Sequence, residues 1–150
     1  MTDTLPGPRV QEKRQMLSGA RSVAPMRALL LVSLGGAVGT ALRFSVGRAI
    51  GPWVPPAFPW ATFTVNVIGC FLLGVIAEAA GERRIADVEL RAILGAGVMG
   101  GFTTYSSFNI ELLRLGGGNA GSMAFGYGAA TLIVCLAAGI AGLALGRALR

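Results

Sequence analysis

The chain has 150 residues, 53% of them hydrophobic and 13% charged, with 23 glycines and 13 Lys+Arg against 7 Asp+Glu. Soluble domains carry about a quarter charged residues, so this composition belongs to a membrane protein and excludes a soluble globular domain. The chain lacks histidine, which removes histidine acid–base catalysis and histidine metal ligation, and its net charge of +6 sits at the ends of apolar runs, as juxtamembrane charges do, rather than in a nucleic-acid footprint.

Residues 1–26 are polar and basic, contain Pro6, Pro8 and Pro25, and have no apolar run, so they read as a disordered tail. A basic stretch before an apolar one can imitate a signal peptide, but no convincing small-residue cleavage site follows it. Met26 opens a sequence that could stand alone, and initiation there is the alternative start. Residues 27–150 read as one membrane domain. A spanning helix needs roughly 20 residues. The uncharged runs then place four spans, near 27–49, 57–80, 87–114 and 120–147.

The first span carries Gly35-Gly36-x-x-Gly39, a face on which small residues let two helices close together. Arg43 follows four residues on. It is either a snorkelling arginine at a helix end or an arginine that faces a watery vestibule and draws anions. In the proline-rich loop 51–60, Trp53 and Trp60 suit an interfacial aromatic belt. In the second span, Asn66 is the only amide or charged side chain between Arg48 and Glu78. An amide in hydrocarbon is costly unless bonded, so it must face the protein interior. It either glues helices together or lends its N–H donors to a passing anion, and the residue alone favours glue. The charged loop after it is a plain connector, with Asp87 near the N-cap of the third span.

The third span holds the most informative stretch, Gly100-Gly-Phe-Thr-Thr-Tyr-Ser-Ser-Phe108, inside a run that is uncharged from Ala92 to Ile110. Paired glycines and paired threonines are poor helix material. In hydrocarbon a broken backbone is tolerated only where it lines a cavity or binds something, so the third helix is expected to break near its middle around an ion. The fourth span puts Tyr127, Thr131 and Cys135 at successive i+4 steps on one face, as a polar lane or as inter-helix hydrogen bonds. Gly142-x-x-x-Gly146 closes it as a second packing motif. Cys70 and Cys135 both fall inside spans and read as small buried residues rather than as a disulfide.

The chemistry at the break suits a small anion. Tyr105 and Phe108 share a face if the helix resumes after Thr104, and aromatic rings have positive edges that approach an anion without a formal charge. Ser106, Ser107 and Asn66 add neutral donors. With no lysine or arginine in the bilayer core, the field is weak enough to release the ion, as conduction requires. The carbonyls freed by the break are oxygen ligands for a hard cation, and two chains on a two-fold axis would offer twice as many as one.

Three blocks resemble the Fluc (CrcB) fluoride channels in order and spacing: Gly35-Gly-Ala-Val-Gly-Thr-Ala-Leu-Arg43-Phe, Thr64-Val-Asn66-Val-Ile-Gly69 and Gly100-Gly-Phe-Thr-Thr-Tyr-Ser-Ser-Phe108. The resemblance covers about residue 26 to the C-terminus. It implies an all-α channel of four transmembrane helices working as an antiparallel, dual-topology homodimer in the bacterial plasma membrane, with two fluoride pathways and a structural sodium ion at the dimer centre. Carried over by motif, Gly100 and Thr103 would give the sodium-binding carbonyls. Asn66, Tyr105, Ser106, Ser107, Phe108, Tyr127 and Thr131 would line the fluoride pathway, and Arg43 its vestibule. Three positions depart from the family pattern: Tyr105 for the usual phenylalanine, Ser107 for the usual threonine, and Cys135 where a hydroxyl is usual.

Other functions fit less well. A small multidrug-resistance-type transporter needs a titratable carboxylate in mid-membrane, and Glu78 and Glu111 lie at segment ends. A non-transporting assembly subunit explains the glycine motifs but not the polar break. No nucleophile–base pair or metal-ligand cluster suggests an enzyme. Orientation poses a separate question, because an antiparallel homodimer needs each chain to insert both ways. Four spans put Arg9, Lys13, Arg14, Arg21, Arg27, Arg83, Arg84, Arg91, Arg147 and Arg150 on one side, ten against Arg43, Arg48 and Arg114 on the other. Ten against three would fix the N-terminus in the cytoplasm. Four of the ten precede Met26 and a fifth, Arg27, stands at the edge of helix 1, so dual insertion is expected if the product starts at Met26 or the tail's charge is partly ignored.

Overall fold

Glycine spacing decides how this chain folds. The computed structural model describes residues 8–79, 89–117 and 121–149, and every regular element among them is helical. Helix α1 runs Pro8–Ile50, α2 Trp60–Ala79, α3 Tyr105–Gly116 and α4 Gly121–Ala148. Between α2 and α3, a π-wound segment, Ala92–Met99, ends in a single α-turn, Gly100–Phe102. Among the described residues, three stretches are long and apolar enough to cross a membrane: Met26–Trp53, Trp60–Ala79 and Gly121–Ala148. The loop residues 81–88, with the cap expected at Asp87, lie outside the described residues.

Helix α1 begins at Pro8, and its apolar stretch starts at Met26.

The expected small-residue faces are where helices meet backbone to backbone. A Cβ on Gly35 would lie 2.9 Å from the Ile93 carbonyl oxygen, and one on Gly97 would lie 2.8 Å from that of Val32. At Gly39 an added Cβ would overlap the Val98 carbonyl, and at Gly101 that of Gly36. These contacts seat α1 on the π-wound segment. On the other side of the bundle, Gly74 and Gly142 bring α2 and α4 together in the same way. A Cβ on Gly142 would overlap the Phe71 carbonyl, and one on Gly146 would lie 2.8 Å from the Val75 oxygen. Backbone cannot yield as a flexible side chain can, so Gly142→Val is expected to destabilise by about 1–3 kcal/mol or more through overpacking. A lowered melting temperature in detergent checks this, and a wild-type melt would contradict the close α2–α4 contact.

Little of the chain is buried within itself. Val65, Met99 and Phe102 form its small core, and Tyr127 is fully enclosed. Leu30, Leu34, Val38 and Phe44 on α1, and Phe125, Leu132 and Leu136 on α4, are exposed by half or more. Apolar faces of this extent suit lipid or a second copy of the chain. At one end Arg27 pairs with Glu89 and Arg147 with Glu78, each at 3.3 Å, and Arg91 donates to the Ala77 carbonyl. These pairs gather the start of the apolar part of α1, the end of α2, the residues before the π-wound segment and the end of α4 at one face of the bundle.

Candidate functional site

The α-turn stops at Phe102 because Thr103 and Thr104 are both extended, with φ/ψ of −82°/160° and −152°/112°. Their polar backbone groups still find partners. The Thr103 N–H and Oγ1 both donate to the Met99 carbonyl at 2.9 Å, and the Thr103 carbonyl accepts from Arg43 Nη1 at 3.3 Å. Thr104 is held from α2: its N–H donates to Asn66 Oδ1 at 2.8 Å, and its carbonyl accepts from Asn66 Nδ2 at 3.1 Å. The Asn66 amide thus stands in for a missing backbone neighbour, which meets the demand of broken backbone in an apolar setting. In a continuous helix the Thr104 N–H would have bonded the Gly100 carbonyl, and that bond is given up. Gly69, one turn from Asn66, leaves the space that the Thr103 methyl fills.

Thr104 also restarts the helix. As N-cap of α3, its Oγ1 accepts from the Ser107 N–H at 3.2 Å, and lies 3.2 Å from Ser106 Oγ and 3.1 Å from Ser107 Oγ. The two adjacent threonines therefore do opposite work. One bonds back into the ended turn, and the other caps the next helix.

Two cavities meet at this break. One, of about 300 Å³, is lined by Asn66, Thr103, Thr104, Tyr105, Phe108 and Thr131, together with Cys70 and Cys135, and no charged side chain lines it. The other, of about 250 Å³, is lined by Arg43, Arg48, Thr62, Thr104 and Ser107. Thr104 lines both and divides them. In the first cavity Thr131 Oγ1 is buried with no hydrogen-bond partner in the chain. A buried hydroxyl without a partner is costly, so this one is left to bond whatever enters the cavity. Asn66 Nδ2 carries two hydrogens and spends one on Thr104, which leaves a second N–H for the same purpose.

The anticipated aromatic pair is present but belongs to a longer row. Tyr105 and Phe108 have ring centroids 5.8 Å apart, Phe108 and Tyr127 5.2 Å, and Phe58 meets Tyr127 edge-on at 5.2 Å. Tyr127 is wholly buried, and its hydroxyl donates to Glu111 Oε2 at 2.8 Å, while Thr62 Oγ1 donates to Glu111 Oε1 at 2.7 Å. Of the residues anticipated from the sequence, Asn66, Thr103, Tyr105, Phe108 and Thr131 line one cavity, and Arg43 and Ser107 the other. Ser106, Tyr127 and Gly100 line neither of these two. Ser106 and Gly100 are exposed on the surface of the chain.

Thr104, Glu111 and Phe58 were missed from sequence. Glu111 looks like a charge at a span end, yet it lies one turn beyond Ser107 and two beyond Thr104, on the same face of α3. That spacing was the available signal. The Asn66 bonds show the glue directly: one N–H and the Oδ1 hold the break, and a second N–H is left without an assigned partner.

A family model described as "CrcB-like protein, Camphor Resistance (CrcB)" matches residues 30–143. A protein of Rhizobium etli (strain CIAT 652) named fluoride-specific ion channel FluC is 47% identical over 122 residues, covering 79% of this chain and 95% of that one. Proteins of the same name from Rhizobium leguminosarum bv. trifolii and Caulobacter vibrioides are 46% and 44% identical over 123 residues, covering 80% and 81% of this chain. The chain is a member of the CrcB family, an all-helical, multi-pass protein of the bacterial plasma membrane.

Proposed function

We propose that the protein is a fluoride-selective ion channel, through which fluoride leaves the cytoplasm and its concentration there falls. It is a conduit and not an enzyme, in keeping with the ion-channel name its relatives carry. The observation that carries the proposal is the cavity at the break, where uncharged donors and ring edges converge and the Thr131 hydroxyl has no partner of its own. Fluoride is small and bonds donors strongly, so it gains most from such a lining.

The route follows from the two cavities. Arg43 and Arg48 raise the local anion concentration in the vestibule they line. The Thr104 and Ser107 hydroxyls lie at its border with the inner cavity. There the spare Asn66 N–H, the Thr131 hydroxyl and the edge of Phe108 take over. With no cationic side chain on that lining, binding is weak enough for the ion to leave. Chloride, larger and a poorer acceptor, gains less from each donor and does not recover its dehydration cost.

The proposal includes four spans, the third made of two arms from Ala92 to Gly116 that meet at Thr103–Thr104. Two chains pair antiparallel, with a structural sodium ion where their breaks meet. The donor set fits that ion: the Gly100 carbonyl has lost its helical partner to the Asn66 interaction, Gly100 is exposed, and the Thr103 carbonyl keeps a second lone pair beside the Arg43 bond. Oxygen ligands of this kind suit a hard cation, whose charge would offset the freed carbonyls. A multidrug-type transporter is disfavoured because Glu111 spends both oxygens on Thr62 and Tyr127 and does not line the inner cavity.

Growth tests the proposal in the cell. Bacteria deprived of their own fluoride export and expressing this chain should grow in fluoride that arrests the same cells without it. Arrest at the same concentration, with the protein detected in the membrane, would count against the proposal.

A further inference from the structure

Cys70 and Cys135 line the inner cavity but offer fluoride only weak S–H donors. Cys70 stands one turn beyond Asn66 on α2, and Cys135 one turn beyond Thr131 on α4, so all four side chains line the same cavity of about 300 Å³. Both thiols are free and half-buried. The Gly74 and Gly142 contacts bring α2 and α4 together, so the two thiols lie on the wall of one cavity. Two facing thiols on a cavity wall are more than small fillers.

Their number and surroundings select the ligand. Among the described residues no third histidine, cysteine, aspartate or glutamate joins them in a metal-holding group, which rules out a four-ligand zinc site. Two thiolates alone suit a soft cation that accepts two sulfurs in line. Charge narrows the choice further. A monovalent ion on two thiolates leaves a net negative charge in an apolar cavity, where unpaired charge is costly, whereas a divalent ion leaves none. We propose that Cys70 and Cys135 form a two-sulfur site for a soft divalent cation of the mercury(II) class, electrically neutral when filled. Taken up from mercuric chloride, two S–H bonds and two metal–chloride bonds break, two sulfur–metal bonds form, and two protons and two chloride ions leave to water with no change of oxidation state. Resting on the fluoride-channel reading, a further consequence is that the filled site narrows the cavity beside Asn66 and Thr131 and stops the ion.

The test uses the full-length purified protein and mercuric chloride. Intact mass should show one mercury per chain, with both thiols protected from alkylating reagent. Cys70→Ser and Cys135→Ser should each bind mercury through the one remaining thiol with a chloride still on the metal, and should give it up to glutathione that the wild type withstands. Mercury held as firmly against glutathione by either serine variant as by the wild type, mercury shared between two chains, or independent labelling of the two thiols with mercury present would each overturn the site. The wild-type protection experiment needs no variant, so a folding defect in the variants does not blunt it. In liposomes, mercuric chloride should stop fluoride efflux through the wild type, and a dithiol that strips the metal should restore it. Bound mercury with undiminished efflux would overturn the blocking role. Protein that binds mercury as described but never conducts fluoride would contradict the channel reading and leave the metal site standing.

Discussion

Asn66→Ala should strip the break of its hydrogen bonds from α2. Thr104 would lose the partner of its N–H and that of its carbonyl together, with both groups buried. Each orphaned group costs about 1–3 kcal/mol, so the loss should rival much of the stability of a small protein. A sharply lowered melting temperature in detergent, or loss of the single species on size exclusion, is the expected result. Asn66→Asp separates the two roles of the side chain. It keeps an acceptor for the Thr104 N–H, faces the Thr104 carbonyl with another oxygen, and sets a negative charge on a cavity proposed to pass an anion. It should therefore fail to conduct even in preparations that elute as a single folded species. An alanine variant that melts like the wild type would show that the break holds without Asn66.

Phe108→Ile should leave the protein folded and cut fluoride efflux by about tenfold or more, which corresponds to about 1.4 kcal/mol on the barrier for each factor of ten. Isoleucine fills much of the same space but has no positive ring edge to offer the ion. The ring contacts with Tyr105 at 5.8 Å and Tyr127 at 5.2 Å would go too. Each is worth about 0.5–1.5 kcal/mol, a loss the rest of the bundle can absorb. Efflux from liposomes and elution of the purified variant measure the two effects separately. Normal efflux from a normally eluting variant would make Phe108 a packing residue and nothing more.

What the amino-acid pattern reveals here, and what it hides, follows from the range of each interaction. The paired glycines and threonines at 100–104 announce an interruption, because local backbone preference suffices to predict one. The glycine faces at 35–39 and 142–146 are legible for the same reason, since closeness of approach depends on the absent side chain itself. Long-range partners are different. That Asn66 would bond the backbone of Thr104 follows only once α2 lies beside the break, and no side-chain pattern marks a backbone partner 38 residues away. Tyr127 illustrates the complementary error. Its i+4 spacing puts it on the same face of α4 as Thr131, yet a tyrosine is long enough to carry its hydroxyl to Glu111, away from the cavity its neighbour lines. Thr103 and Thr104 are identical in composition, and only their positions relative to Met99 and Ser107 separate a side chain that ends one helix from one that starts the next. The π winding of Ala92–Met99 left no signal beyond its glycines, since it arises where the segment meets α1.

The central claim is that fluoride passes and chloride does not. The direct measurement loads liposomes carrying the purified protein with potassium fluoride or potassium chloride, adds a potassium ionophore to clamp the voltage, and follows each anion outward with its selective electrode. Rapid fluoride efflux, with chloride held at the leak of protein-free liposomes, is the result predicted by the neutral donors and ring edges around Asn66, Phe108 and Thr131. Equal efflux of the two anions, or none of either, would contradict it.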